Sequence, residues 1–221
     1  MKPIYVLLIT VSVAFAQQRF DMLVREDFFA GMSGDTARFE KAMKVTEETL
    51  AKDPNHAEAK VWHGSGVLFQ AGQAFQKGDF QQGMKAWDQG LAEMEQAVNL
   101  APSNVAVLIP RGASLIATSR FTPPQFGKPI LQTGVADYEK VLKIQEPAFA
   151  QMSAHSKGEL LMGLAEGWNR LGNTEKAKEY FTRMKAELPG SVYERKAQAW
   201  LENRPESKSQ AFFNCSGCHV Q

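Results

Sequence analysis

The chain has 221 residues, 44% of them hydrophobic, with 25 basic and 24 acidic side chains interspersed along its length. That is enough for one compact domain or one short repeat array. The balance of charge leaves no basic stripe for nucleic acid and no polybasic patch for a membrane surface, so the charges read as solvated helix faces.

The first element in chain order is a leader over residues 1–16. Met1-Lys2-Pro3 precedes an almost wholly apolar run from Ile4 to Phe15, and Ala14-Phe15-Ala16 has the small-x-small pattern of a signal-peptide cleavage site. The mature chain is therefore expected to begin at Gln17. The apolar run is about a dozen residues, whereas a spanning helix needs about 20, so no membrane span is expected after cleavage. No cysteine stands at the cleavage point to carry a lipid anchor. Removing Lys2 with the leader leaves 24 basic and 24 acidic residues.

Residues 17–203 read as a repeated helix–turn–helix unit. Pro54, Pro102, Pro147 and Pro189 follow one another at intervals of 48, 45 and 42 residues. A proline lacks the N–H and clashes with the preceding turn, so each is a helix stop. Midway between stops lie Gly34-Asp35, Gly78-Asp79 and Gly172-Asn173. In each pair the glycine can end one helix and the Asx residue can cap the next. A period in this range predicts an all-α stack of about four helical hairpins. After Asp35, the residues Phe39, Ala42, Met43, Thr46 and Leu50 fall on one helical face, the expected buried stripe. Phe39, Trp168 and Phe181 are expected to fill the gaps between helices, and most methionines to lie in the core.

The fourth unit carries a family resemblance. Ala165, Trp168, Leu171-Gly172, Ala177, Tyr180-Phe181 and Leu188-Pro189 follow in order as small residue, aromatic, Leu-Gly turn, Ala, aromatic and proline. This resembles the tetratricopeptide repeat. The second unit, with Gly78-Asp79-Phe80, Ala97 and Pro102, and the first, with Gly34-Asp35, Phe39, Ala42 and Pro54, are looser matches. The units exceed the 34-residue period of that family, so longer helices or loops are expected. The resemblance implies a tetratricopeptide-like solenoid with an extended surface for docking a protein partner.

The third unit departs from the pattern. From Ser119 to Pro129 the chain contains Pro123-Pro124 and Gly127, which predicts an inserted loop without helix. Its Phe121 and Phe126 are expected to pack back on the array, the alternative being that they cover a cofactor or grip a partner. Residues 192–203 read as a final capping helix with Ala197, Trp200 and Leu201 inward. Residues 204–221 read as an irregular tail, beginning with a polar tether.

The tail ends in Cys215-Ser216-Gly217-Cys218-His219, holding the only two cysteines of the chain and one of its four histidines. Cys-x-x-Cys-His has the spacing of a c-type haem attachment site. Cys215 and Cys218 would form thioethers to the porphyrin, and His219 would be the proximal axial iron ligand. A tail disulfide is the main competing reading. A thioredoxin-like dithiol lacks the βαβ context, and a zinc site would need a second ligand pair. The motif resembles that of c-type cytochromes, whose haem is attached outside the bacterial cytoplasm, which agrees with the leader. Periplasmic or secreted localisation is expected. The sixth ligand is open: His56, His63 and His155 remain, with His155 the first to test, as do eight methionines.

The expected function is that of an exported monohaem c-type cytochrome-like protein. Its scaffold docks a redox partner and its haem carries single electrons, without catalysis. The alternatives are a tetratricopeptide binding scaffold without haem and, further off, a haem peroxidase, for which no distal His–Arg pair can be assigned.

Overall fold

The Gly-Asx pairs fix where the chain reverses. In the computed structural model, which describes residues 19–208, Gly34, Gly78 and Gly172 have φ of +120°, +80° and +83°, conformations that residues with a Cβ rarely adopt. The next residue caps the following helix each time. Asp35, Asp79 and Asn173 accept the backbone N–H of Arg38, Gln82 and Lys176 at 3.1, 3.0 and 3.1 Å. These turns join α1 (Asp21–Met32) to α2 (Thr36–Lys52), α3 (Ala57–Gln76) to α4 (Phe80–Leu100), and α7 (Ala154–Arg170) to α8 (Thr174–Glu187). Pro54, Pro102 and Pro189 each stand two residues beyond the second helix of a pair.

The remaining pair is α5 (Val105–Thr118) and α6 (Pro124–Gln145). Here the expectation of a helix-free insert from 119 to 129 is corrected, because α6 begins at Pro124. Pro123 is extended, with ψ of 143°, and Pro124 occupies the first helical position, where a missing N–H costs nothing. Pro129 lies inside the helix. It leaves the carbonyl of Gln125 without an N–H donor, but both residues are exposed, so solvent can take that role. Pro147 falls in a 3-10 turn, Glu146–Gln151, that directly continues α6.

The final helix, α9 (Val192–Leu201), forms as expected. Ser191 caps it by accepting the N–H of Glu194, Ala197 is buried, and Trp200 stacks on Phe181 with ring centroids 4.4 Å apart. The predicted tether begins with more structure than expected. Pro205–Lys208 is a 3-10 turn against α9, and Ser207 is buried with its Oγ donating to the Arg204 carbonyl at 2.7 Å. Among the described residues all regular structure is helical.

Successive helices are joined by short turns and pack alongside one another, and the first helices of the pairs also pack together: α1 on α3, α3 on α5 and α5 on α7. The close approach within two of the pairs depends on facing glycines. A Cβ on Gly64 of α3 would lie 2.9 Å from the Gly90 carbonyl of α4, and one on Gly134 of α6 would lie 3.0 Å from the Gly112 carbonyl of α5. Gly64 and Gly112 are the eighth residues of their helices, and Gly90 and Gly134 the eleventh of theirs. The second and third units therefore cross at the same place.

The core has two parts that meet at the third pair. Val107 and Leu115 of α5 and Ile130 of α6 join an aromatic-rich cluster with Phe28, Phe39, Trp62, Met43 and Met94. Their neighbours Leu108, Ile116 and Leu131 join the cluster around Phe181, Met184, Leu161 and Tyr138. The predicted stripe of α2 is borne out, with Phe39, Ala42, Met43 and Thr46 buried and Leu50 partly buried.

Buried charges pin the units together. Arg111 of α5 grips Asp137 of α6 through Nε and Nη2 at 2.6 and 2.7 Å, and reaches Glu95 of α4 at 2.7 Å. Glu166 of α7, 2% exposed, accepts a two-armed contact from Arg120, just past α5, and a longer one from Arg170. Such paired arrangements offset the desolvation of charges that would be costly alone.

Candidate functional site

Cys215, Cys218 and His219, the residues expected to hold haem, lie outside the described residues, as does the predicted leader. What the fold defines is how the chain sets out toward them. Asn203 closes α9 with φ of 55°, and the Arg204 N–H donates to the Ala199 carbonyl at 2.9 Å, a left-handed helix stop. The 3-10 turn at Pro205–Lys208 follows at once, so the path up to residue 208 is held by hydrogen bonds near the C-terminal end of α9.

The direction of α9 then matters. At its start, the Tyr193 hydroxyl lies 3.3 Å from His155 Nδ1 and donates to Glu159 at 2.8 Å. The Tyr193 ring also fills the space over Gly158. These contacts tie the start of α9 to the start of α7, while the body of α9 packs on α8. At the other end of α7, Arg170 donates to the Ile116 carbonyl at 3.1 Å and Glu166 binds Arg120, which brings the ends of α5 and α7 together. The C-terminal ends of α5 and α7 therefore share one edge, the edge of the within-pair turns, whereas Trp200 near the end of α9 stacks on Phe181 in the middle of α8.

The three other histidines are all engaged. His56 is the N-cap of α3, its Nδ1 accepting the Ala59 N–H at 3.1 Å, with its ring 5.0 Å from that of Phe20. His155 is held at the start of α7, opposite the turn edge. His63 of α3 has its Nδ1 2.5 Å from Glu93 of α4 and its Nε2 3.9 Å from Glu47 of α2. This pair lines a cleft of about 350 Å³ with Leu50, Pro54, Lys60, Gln89, Ala92 and Gln96. Burial would push the Glu93 carboxyl up, but hydrogen bonds from His63 and Gln89 outweigh it and hold it below the usual carboxylate range. Sequence reading named His63 but missed its partners, because 30 residues separate it from Glu93. Among the described residues no group of three His, Cys, Asp or Glu side chains is arranged to hold a metal ion.

The methionines divide. Met43, Met94, Met162 and Met184 are buried as expected, whereas Met22 and Met84 are exposed. The aromatics of the third turn are a correction. Phe121 is 79% exposed and Phe126 52% exposed, so neither packs back on the array. The turn backbone leaves no room beneath them. The N–H groups of Phe126 and Gly127 both donate to the Pro123 carbonyl, at 3.0 and 2.8 Å. Thr122 Oγ1 donates to Thr118, and a Cβ on Gly127 would stand only 2.9 Å from the Thr122 carbonyl. Below the turn, the space is taken by Arg120 and its partners on α7.

No helix of the described residues is long and apolar enough to cross a membrane. The sequence matches no family model and no curated protein.

Proposed function

We propose that this chain is an exported, monohaem c-type cytochrome-like protein built on a tetratricopeptide-like helical solenoid. The observation that carries the reading is the sequence Cys215-Ser216-Gly217-Cys218-His219, with both cysteines of the chain at haem-attachment spacing and an imidazole directly after them. The donor set fits the group: two thiols for the two porphyrin vinyls and one nitrogen ligand for the iron. When bound, haem c supplies a one-electron ferric–ferrous couple. The residues supply the rest. Cys215 and Cys218 anchor the group covalently, His219 holds the iron from one side, and the helical array offers a partner-docking surface.

The solenoid part of the reading is supported by four helix pairs with three matching Gly-Asx turns and by facing glycines at matching positions in the second and third pairs. Pairs that cannot bury their stripe alone do so by stacking, the physical basis of repeat arrays.

The test is the full chain expressed with c-type haem maturation machinery. The expected result is covalent haem with a ferrous spectrum and an alkaline pyridine assay indicating two thioethers, reduced to one by Cys218→Ala. Absence of covalent haem in the wild-type chain would overturn the proposal and leave a helical binding scaffold in its place.

A further inference from the structure

We propose that the turn ends of the second and third pairs form one docking surface for a separate protein, which binds through a segment that is both apolar and acidic. This rests on the docking part of the reading under Proposed function and not on the haem.

The two turns share an edge. Asn104, the cap of α5, donates to Glu58 in the first turn of α3 at 3.3 Å, and farther along the Ser114 hydroxyl donates to that of Ser65 at 3.0 Å. α3 and α5 therefore pack side by side in one direction, with their C-terminal ends on the same edge. Height agrees. The Ser65–Ser114 contact lies beside Gly64 and Gly112, where the two pairs cross. Phe80 stands ten residues before Gly90 in α4, and Phe126 eight before Gly134 in α6. At a rise of 1.5 Å per residue, both lie about 12–15 Å beyond the crossings.

Both turns display apolar side chains. Phe80 is 68% exposed, and Met84 is also exposed. With Trp87 and Leu91, which are partly buried against the core, they form a stripe at i, i+4, i+7 and i+11 that rises out of the core along α4. Phe75 takes the space over Gly83, and its ring lies 6.3 Å from that of Phe80. On the neighbouring turn Phe121 and Phe126 are exposed. Exposed apolar residues gathered on one edge mark a contact surface, and Phe and Met are enriched at the buried centres of protein interfaces. The Gly-Asx turns at 34–35 and 172–173 display no exposed large hydrophobic residue among those described.

Charge indicates what covers the surface. From residue 59 to 87 the only acid is Asp79, whose carboxylate caps α4 by accepting the Gln82 N–H, and from 101 to 136 there is none. Lys77, Lys85 and Lys128 are exposed on or beside these turns, and among the described residues none of them forms a salt bridge. A basic surface with open aromatic rings is complementary to an acidic, apolar segment. A second copy of this chain would set lysines against lysines. Three lysines also fall short of the roughly four to eight basic residues that hold a protein on an anionic membrane.

The experiment selects phage-displayed random peptides, about 16 residues long and so about 24 Å as helices, on the wild-type full chain. Selected peptides are synthesised for affinity measurements, with haem content determined on the same protein. The expected peptides carry Glu or Asp between large apolar residues. Their Kd should rise at least about tenfold for Phe80→Ser and likewise for Phe121→Ser/Phe126→Ser, as for anchors of an interface. The Lys77→Glu/Lys85→Glu/Lys128→Glu variant should weaken binding by a similar factor at low salt and by less at about 0.5 M salt. All these side chains are exposed, so far-UV circular dichroism should be unchanged. Enrichment of basic or uncharged peptides, no enrichment, or affinity that depends on only one of the two turns would overturn the proposal. Dimerisation abolished by the Phe substitutions, or binding of the wild-type chain to anionic phospholipid vesicles, would assign the surface to a second copy or a membrane and overturn it too. If no haem attaches, the electron-carrier reading falls, and the peptide affinities still decide what this surface binds.

Discussion

The α7–α8 and α5–α6 pairs solve the same problem with different chemistry. In α7–α8 a left-handed glycine and an asparagine cap make a three-residue turn, and the large side chains point inward: Phe181 and Met184 are fully buried. In α5–α6 the turn runs from Ser119 to Pro123, and Phe121 within it and Phe126 in the first turn of α6 are exposed. The first turn is closed by local backbone geometry and asks nothing of its surroundings. The second is held from below by Arg120 and Glu166, which leaves its upper face open. A turn that serves only to reverse the chain needs the minimum number of residues; one that displays apolar surface needs support from a neighbouring unit.

This comparison can be pressed experimentally. The largest effect is expected from Phe181→Ala, which empties a site enclosed by α9 and Trp200 in the regular pair. Its loss should reduce stability by about 3–5 kcal/mol in denaturant unfolding. Glu166→Ala removes the carboxylate that faces both Arg120 and Arg170 at the joint between the two pairs, taking the shared anion from two largely buried guanidinium groups. A loss of about 3 kcal/mol is expected, since breaking one partner of a buried pair leaves an uncompensated charge. Arg120→Ala should cost less, because Glu166 keeps Arg170. If Glu166→Ala were neutral, the third turn would not depend on α7 for support. The smallest effects separate the two turns themselves. Asn173→Ala should cost about 1 kcal/mol as a lost helix cap, whereas Phe121→Ser should cost less, because the ring stands outside the helical core. A loss above about 1 kcal/mol from Phe121→Ser would mean that the ring contributes to the folded core.

Much of the regular pair was legible beforehand, for local reasons. Glycine before Asx reads as a turn because only glycine tolerates the left-handed backbone and Asx caps the next helix; both rules act within four residues. The proline stops after α2, α4 and α8 are equally local. The stripe from Phe39 to Thr46 was legible because a helix has a fixed period. The third pair departs from the expected helix-free stretch because proline is tolerated at a first helical position, as at Pro124, and even inside a helix, as at Pro110 of α5 and Pro129 of α6. The facing glycines at 64 and 90, and at 112 and 134, were in the sequence at matching spacings but carry no meaning until two helices are known to cross there.

By itself, the sequence determined the all-helical class, three of the four within-pair turns, the final helix and the Cys215–His219 motif, because each depends on residues within a few positions of one another. Only the tertiary structure decided that Phe121 and Phe126 stand outward, that His63 lies against Glu93 and His155 against Tyr193, and that Glu166 of α7 meets Arg120 beyond α5. Those facts depend on groups 30 or more residues apart, brought together by burial of the shared core, a condition no local pattern records.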